Sequence, residues 1–281
     1  MGKPSDYLEI MRPINSVMTG VAIIIGALIT GGNQILGDWV SLVLAFLTGF
    51  TLSGAAMAIN DYYDREIDAV NEPGRAIPSG RISPQSAIVF TGLLSIVGLV
   101  SSYLISFNAL LVAVFAWIVM MIYSIKGKKL GFIGNLMVSL SVALPFLYGG
   151  VMTGSIASSL SFSGIAFLAN TGREITKGIV DVEGDKLEGV NTIAITRGVK
   201  SAASIASLFF VGAVLVSIYP VYRELVSFWY IPFVALTDLG LVYSGYQVMS
   251  DPSRETSRTV KNRILYLMIL GLIGFATGSL L

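Results

Sequence analysis

The sequence predicts an all-α integral membrane protein. About nine transmembrane helices would form a ring or two bundles around a central cavity, with polar cytoplasmic loops capping it. Three observations lead there. Of 281 residues, 54% are hydrophobic and only 12% charged, with mean hydropathy +0.78, whereas a soluble domain carries about 25% charged residues. The apolar residues gather in runs long enough to cross roughly 30 Å of hydrocarbon as helices. The basic residues fall on alternate connections, as membrane insertion favours. The chain, 1–281, reads as one polytopic domain.

The runs lie near 15–31, 39–59, 85–105, 108–124, 132–152, 155–172, 201–219, 229–249 and 263–281. The third and fourth nearly touch at Phe107 and Asn108, and the fifth and sixth at Thr153 and Gly154, so both pairs read as tight hairpins. The leading stretch MGKPSDYLEIMRP is polar and carries no cleavable signal pattern. With the N-terminus cytoplasmic, seventeen of the eighteen Lys and Arg residues lie on the cytoplasmic side and only Arg223 on the other. That asymmetry sets the expected orientation.

Cys and His are absent. This excludes disulfides, thiolate nucleophiles, imidazole acid–base chemistry and a typical zinc site. A metal would have to sit on oxygen ligands, which suits magnesium, calcium or manganese. Net charge of +1 gives no reason to invoke nucleic acid, and no obligate protein partner is indicated.

Ten of the seventeen carboxylates sit in two connections, 60–84 and 173–200: Asp61, Asp64, Glu66, Asp68, Glu72, Glu174, Asp181, Glu183, Asp185 and Glu188. Both connections fall on the cytoplasmic side. D-x-x-x-D occurs in each, as Asp64/Asp68 and Asp181/Asp185, followed by Asn71 and Asn191, a weak internal repeat. At about 100° per residue, Asn60, Asp61, Asp64 and Asp68 share one arc of roughly 100°, provided that the second helix runs on past the membrane. Glu174, Lys177, Asp181 and Asp185 likewise share a face, although Gly178 and Gly184 weaken the expectation of continuous helix.

Like charges at i, i+4 destabilise a helix, so such carboxylates need counter-charge. Lys and Arg supply some. A divalent cation supplies more, and magnesium commonly joins a few carboxylates to substrate phosphates. The charged loops therefore read as a metal–phosphate site rather than as ordinary solvated loop ends.

N60-x-x-x-D64-x-x-x-D68 after the second helix, with D181-x-x-x-D185 after the sixth, resembles the UbiA superfamily of intramembrane prenyltransferases. Further matches are R75-A-I-P-S-G-R81, Y123-S-I-K126 and G134-N135; many members have Pro where Ala76 stands. The resemblance implies a polyprenyl diphosphate donor bound through two Mg2+ ions. Asn60, Asp64 and Asp68 would hold one ion, and Asp181 and Asp185 the other. Those four aspartates would be the catalytic set. Arg75, Lys126, Lys177 and Tyr123 would line the diphosphate and donor, and Tyr62, Tyr63 and Tyr123 offer ring faces to a developing carbocation.

Within the superfamily, LEIMRPINSVMTGVAI and NDYYDREIDAVNEPGRAIPSGRIS are most similar to archaeal members of ether-lipid synthesis. These move a geranylgeranyl group onto the free hydroxyl of geranylgeranylglyceryl phosphate. A lipid-phosphate acceptor implies further polar contacts, for which Arg12, Asn15, Lys128 and Arg173 are candidates. The rival acceptor is an aromatic quinone precursor. A cation or phosphate transporter is the rival class, but transporters place ionisable groups near the bilayer midplane. Here Asp238 is the one clear acidic residue deep in a predicted span, and a buried hydrogen bond is its expected role.

Overall fold

The computed structural model describes residues 2–187 and 189–280, with the side chain of Lys128 outside the described set. Among the described residues there are helices and no strands. In order they are α1 (Pro4–Met11), α2 (Pro13–Gly31), α3 (Trp39–Asn71), α4 (Pro84–Ile105), α5 (Phe107–Ile125), α6 (Phe132–Thr153), α7 (Ile156–Val180), α8 (Val182–Leu187), α9 (Ile193–Thr196), α10 (Val199–Tyr222), α11 (Tyr230–Ser250) and α12 (Arg254–Leu280). Short 3-10 turns join α2 to α3 and α5 to α6.

Every predicted run is helical, and the two hairpins turn where expected. Ser106 caps one, and Gly154, at φ +77°, ends α6 in the left-handed region that glycine tolerates. Seven described helices are long and apolar enough to cross a membrane: α2 through α6, α10 and α12. The other two predicted spans, α7 and α11, are helices of 25 and 21 residues that carry more polar side chains. Three helices outrun the hydropathy that foretold them. α3 continues to Asn71, α7 to Val180, and α12 begins at Arg254. A helix ends where its hydrogen bonds stop, not where its greasy residues stop. The polar leader, for which no element was predicted, forms α1; its end is Arg12, whose N–H donates to Glu9.

The chain divides into two compact units. One comprises Met1–Ile24 and Gln34–Ile125, the other Ile25–Asn33 and Lys126–Leu281, with the boundary inside α2. In the first unit, small residues let α3 lie close to its neighbours. A Cβ added at Gly98 on α4 would fall 2.7 Å from Thr51 and Leu52, and Thr48 Oγ1 donates to the Gly98 carbonyl at 3.3 Å. Trp117 on α5 donates its indole N–H to Ser95 on α4 at 2.9 Å. Ile10, Ala58, Ile77, Ile82 and Ala87 form a core cluster that fastens α1 and the 72–83 connection to α3 and α4. Burying one such isoleucine stabilises by about 1.5–3 kcal/mol.

In the second unit, Phe210, Ala202, Ala206, Val248, Val260 and Ile264 join α10, α11 and α12. Phe162, Tyr230 and Phe275 pack as an aromatic group, with Phe162 and Phe275 edge-on at 5.0 Å. Gly172 on α7 admits the Phe210 ring: a Cβ there would lie 2.3 Å from it.

Candidate active site

In the first unit the acidic motif lies on uninterrupted helix, because α3 runs unbroken through Asn60, Asp61, Asp64 and Asp68. Asn60 Nδ2 donates to Asp64 Oδ2 at 2.8 Å, across the one-turn spacing of the motif. Arg75, on the connection to α4, donates to Asp68 at 2.8 Å and to Glu72 at 3.0 Å. Its guanidinium also lies 3.7 Å from Asp61. Burial opposes the Arg75 charge, but the hydrogen bonds to Glu72 and Asp68 outweigh it and hold its pKa above the ordinary value. Arg12 donates to Asp61 at 2.7 Å. Asn15, a turn further on, is exposed.

That connection is itself clamped. Glu9 on α1 accepts the Ala76 N–H at 3.1 Å and Arg81 at 2.9 Å, and Arg81 also pairs with Asp6 and donates to the Gly74 carbonyl at 2.8 Å. The Lys3 backbone N–H, then Arg81, hold the Asp6 carboxyl below the usual range. Of the candidate aromatic faces, Tyr62 carries Arg65 over its ring at 4.6 Å, so a cation of the chain already engages it. Tyr63 meets Tyr62 edge-on at 5.2 Å and is 42% exposed. Tyr123 sits on the last turns of α5, half-buried.

In the second unit the motif straddles a helix break. Asp181 ends α7 at φ −100°, ψ 11°, and α8 starts at the next residue. The one-turn relation survives, since the Asp185 N–H donates to the Asp181 carbonyl at 2.8 Å and the Val190 N–H to the Asp185 carbonyl at 2.8 Å. Arg254, at the start of α12, donates to the Val180 carbonyl at 3.2 Å, just ahead of Asp181. About two turns before Asp181, buried Glu174 pairs with Arg173 at 2.6 Å and more loosely with Lys177 at 3.8 Å. The Arg173 Nε is buried without a hydrogen-bond partner.

Lys126 is exposed on the connection before α6. That connection ends at Gly131, where an added Cβ would fall 1.9 Å from the Asn191 carbonyl, so it packs directly on the segment following Asp185. Lys128 lies on the same connection, its side chain outside the described residues. Asp238 accepts a hydrogen bond from Ser217 Oγ at 2.6 Å, the structural role expected for it.

The structure thus brings Asn60 to Asp64, Asp68 to Arg75, and Arg173 and Lys177 to Glu174. Pairings absent from the sequence reading are those of Asp61 with Arg12, of Glu9 and Asp6 with Arg81, and of Arg254 with Val180. Each joins residues at least 49 positions apart, and local pattern carries no sign of them. The one local hint was Arg12-Pro13, where a helix usually stops.

Amide and carboxylate oxygens at i, i+4 and i+8 on α3 suit a hard divalent cation. Among the described residues, no three carboxylates gather into a ready-made metal cage. Such a donor set fits an ion whose shell substrate phosphates complete, as magnesium prefers.

The UbiA prenyltransferase family model matches residues 19–274. The chain belongs to that family. Among relatives, the digeranylgeranylglyceryl phosphate synthase of Thermococcus sibiricus is 34% identical, covering 98% of this chain and 97% of its own. This UbiA-family chain also superposes on a solved structure from work on digeranylgeranylglyceryl phosphate synthase in membranes. The TM-score is 0.89 at 33% identity, over 98% of each chain. A UbiA homolog from Archaeoglobus fulgidus, bound to GPP and Mg2+, shares the fold at TM-score 0.64 and 16% identity, over 96% of this chain and 99% of its own.

Proposed function

We propose that this chain moves a geranylgeranyl group from its diphosphate to the free hydroxyl of geranylgeranylglyceryl phosphate, forming an ether bond in archaeal membrane lipid synthesis. One observation carries the reading: eight curated relatives, 32–36% identical over nearly the full chain, are all digeranylgeranylglyceryl phosphate synthases. The single-sided distribution of Lys and Arg supports a cytoplasmic N-terminus and cytoplasmic acidic loops.

In this reading the whole chain acts as one catalytic domain. Asn60, Asp64 and Asp68 hold one divalent ion, and Asp181 and Asp185 hold a second. The oxygen-only donor set supports magnesium, as does the A. fulgidus homolog bound to GPP and Mg2+. When bound, the ions would neutralise charge growing on the departing diphosphate. Arg75, Lys126 and Lys177 add donors to the same leaving group, and preorganised cations of this kind favour the charge-separated transition state over the substrate. Tyr123 offers a ring face to the allylic carbon. The apolar helices accommodate the isoprenoid tail and keep water from the carbocation. Arg12, Asn15, Lys128 and Arg173 bind the acceptor, with its phosphate as their anchor. The acceptor hydroxyl forms the new C–O bond as the allylic C–O bond to diphosphate breaks, and its proton passes to a motif carboxylate or to released diphosphate.

Purified protein in nanodiscs, given Mg2+ and geranylgeranyl diphosphate, tests this. Supplied with geranylgeranylglyceryl phosphate it yields the doubly prenylated ether lipid, detected by mass spectrometry, and yields nothing with an aromatic quinone precursor. Prenylation of the aromatic acceptor alone would contradict the reading.

A further inference from the structure

Asp61 lies inside the acidic stripe of α3, yet its partners set it apart from Asn60, Asp64 and Asp68. It is 7% exposed, and two guanidinium groups approach the same oxygen, Oδ1: Arg12 at 2.7 Å and Arg75 at 3.7 Å. On a helix it stands about 100° round from Asn60, at the edge of the stripe.

Both arginines are positioned by more than this carboxylate. Arg12 has φ +49°, one of two positive-φ non-glycine residues among those described. It closes α1 in the left-handed conformation where Gly is usual. Glycine would serve if the chain only had to turn, so an arginine held there argues that the side chain is needed. Arg75 is fixed by Glu72 and Asp68, and the following Ala76 N–H is held by Glu9. The guanidinium side chains keep 35% and 29% exposure. Each has five N–H donors in a fixed fork, so donors remain for an oxyanion.

We infer that Asp61 is a positioning residue that holds Arg12 and Arg75 as a paired guanidinium site for a phosphoryl group of one of the two substrates, so that the two arginines serve one ligand instead of being divided between acceptor and donor. This rests on the prenyl-transfer reading, which supplies two phosphorylated ligands. Asp61 keeps Arg75 anchored when Asp68 is engaged by a cation. Without that anchor, each long side chain must be ordered anew when a ligand binds.

The test is equilibrium binding to nanodisc-embedded protein in Mg2+, each ligand offered alone so that no turnover occurs. The probes are geranylgeranylglyceryl phosphate, its dephosphorylated alcohol and geranylgeranyl diphosphate; Mn2+ binding is followed separately by electron paramagnetic resonance. In Asp61→Asn one phosphorylated probe weakens by about tenfold, the loss of a charge-assisted contact. The alcohol binds as before, and Mn2+ affinity stays within about twofold, far from the 10- to 100-fold loss that disturbing a ligand's support produces. Arg12→Gln reproduces the loss and Arg12→Lys recovers part of it. The weakened probe identifies the acceptor or the donor as source of the phosphoryl group. Unchanged binding of both phosphorylated probes overturns the inference. So does loss of Mn2+ equal to that in Asp64→Asn, which would make Asp61 a metal ligand. If Asp61→Asn fails to fold, Arg12→Gln and Arg75→Gln decide on the same probes. Retention of Mn2+ by Asp64→Asn would instead break the metal reading and leave the Asp61 result legible.

Discussion

The two acidic motifs share the D-x-x-x-D spacing and are built differently. On α3 the motif is continuous helix, and its carboxylates are met by guanidinium groups from 12 and 75. Around Asp181 and Asp185 the helix breaks, and hydrogen bonds to main-chain carbonyls hold the shape: the Asp185 N–H to Asp181, the Val190 N–H to Asp185, and the Arg254 side chain to Val180. The bonds described at the first motif join side chains, and those described at the second end on main-chain carbonyls. Equal spacing in sequence therefore does not mean equal sensitivity to substitution.

The largest expected effect does not distinguish them. Asp64→Asn and Asp181→Asn are each expected to lower prenyl transfer by more than about a hundredfold, since in the proposed function either removes a carboxylate that would hold the cation on which departure of the diphosphate depends. Thermal unfolding in nanodiscs should stay near wild type; an active variant would break the symmetry of roles.

The next pair sharpens the contrast. Arg75→Gln leaves Asp68 and Asp61 short of counter-charge and should destabilise the first unit by about 1–2 kcal/mol, reduced from the fully buried case because the group is partly exposed. Its effect should shrink in high salt. Arg254→Gln removes one hydrogen bond to a carbonyl, worth about 1 kcal/mol, with little salt dependence. Urea titrations at two ionic strengths measure both, and equal salt dependence would contradict the distinction.

Asp238→Asn should change activity by less than about twofold. The amide oxygen still accepts from Ser217, so the 2.6 Å bond loses charge but not its partner. A larger loss would assign Asp238 a part in the chemistry.

The smallest effect is in pH. Asp6 is held below its usual pKa by the Lys3 N–H and then by Arg81. Its contribution is complete above the unfolded value of about 3.9 and is lost as pH falls through the lower folded value. Hydrogen exchange at Ala76, Ser79 and Ile82 should accelerate only in that acidic window, after correction for intrinsic rates. Acceleration between pH 5 and pH 7 would point to another group, as this range lies above both carboxyl values.

Much of this was legible in advance. Hydropathy located nine runs that are all helical, of which seven, among the described residues, are long and apolar enough to cross a membrane, because an isolated backbone in lipid must close its own hydrogen bonds. The reach of α3 to Asn71 was foreseen only as a condition for the acidic stripe, since hydropathy falls silent where charge begins. The helix α1 was missed for the same reason: Asp6, Glu9 and Arg12 mask its register, and their partners lie far along the chain. Lys177 illustrates the other limit. Its shared helical face was readable, but its loose pairing with Glu174 at 3.8 Å was not.

The central proposal is that both motifs serve one diphosphate. A double-mutant cycle on donor binding tests it most directly, using a non-reactive thiolo analogue of geranylgeranyl diphosphate in Mg2+. Groups that act as a unit are non-additive. The account predicts that Asp64→Asn with Asp181→Asn binds the analogue scarcely more weakly than either single variant. Wild-type affinity in either single variant would contradict it, because that motif would then take no part in holding the diphosphate.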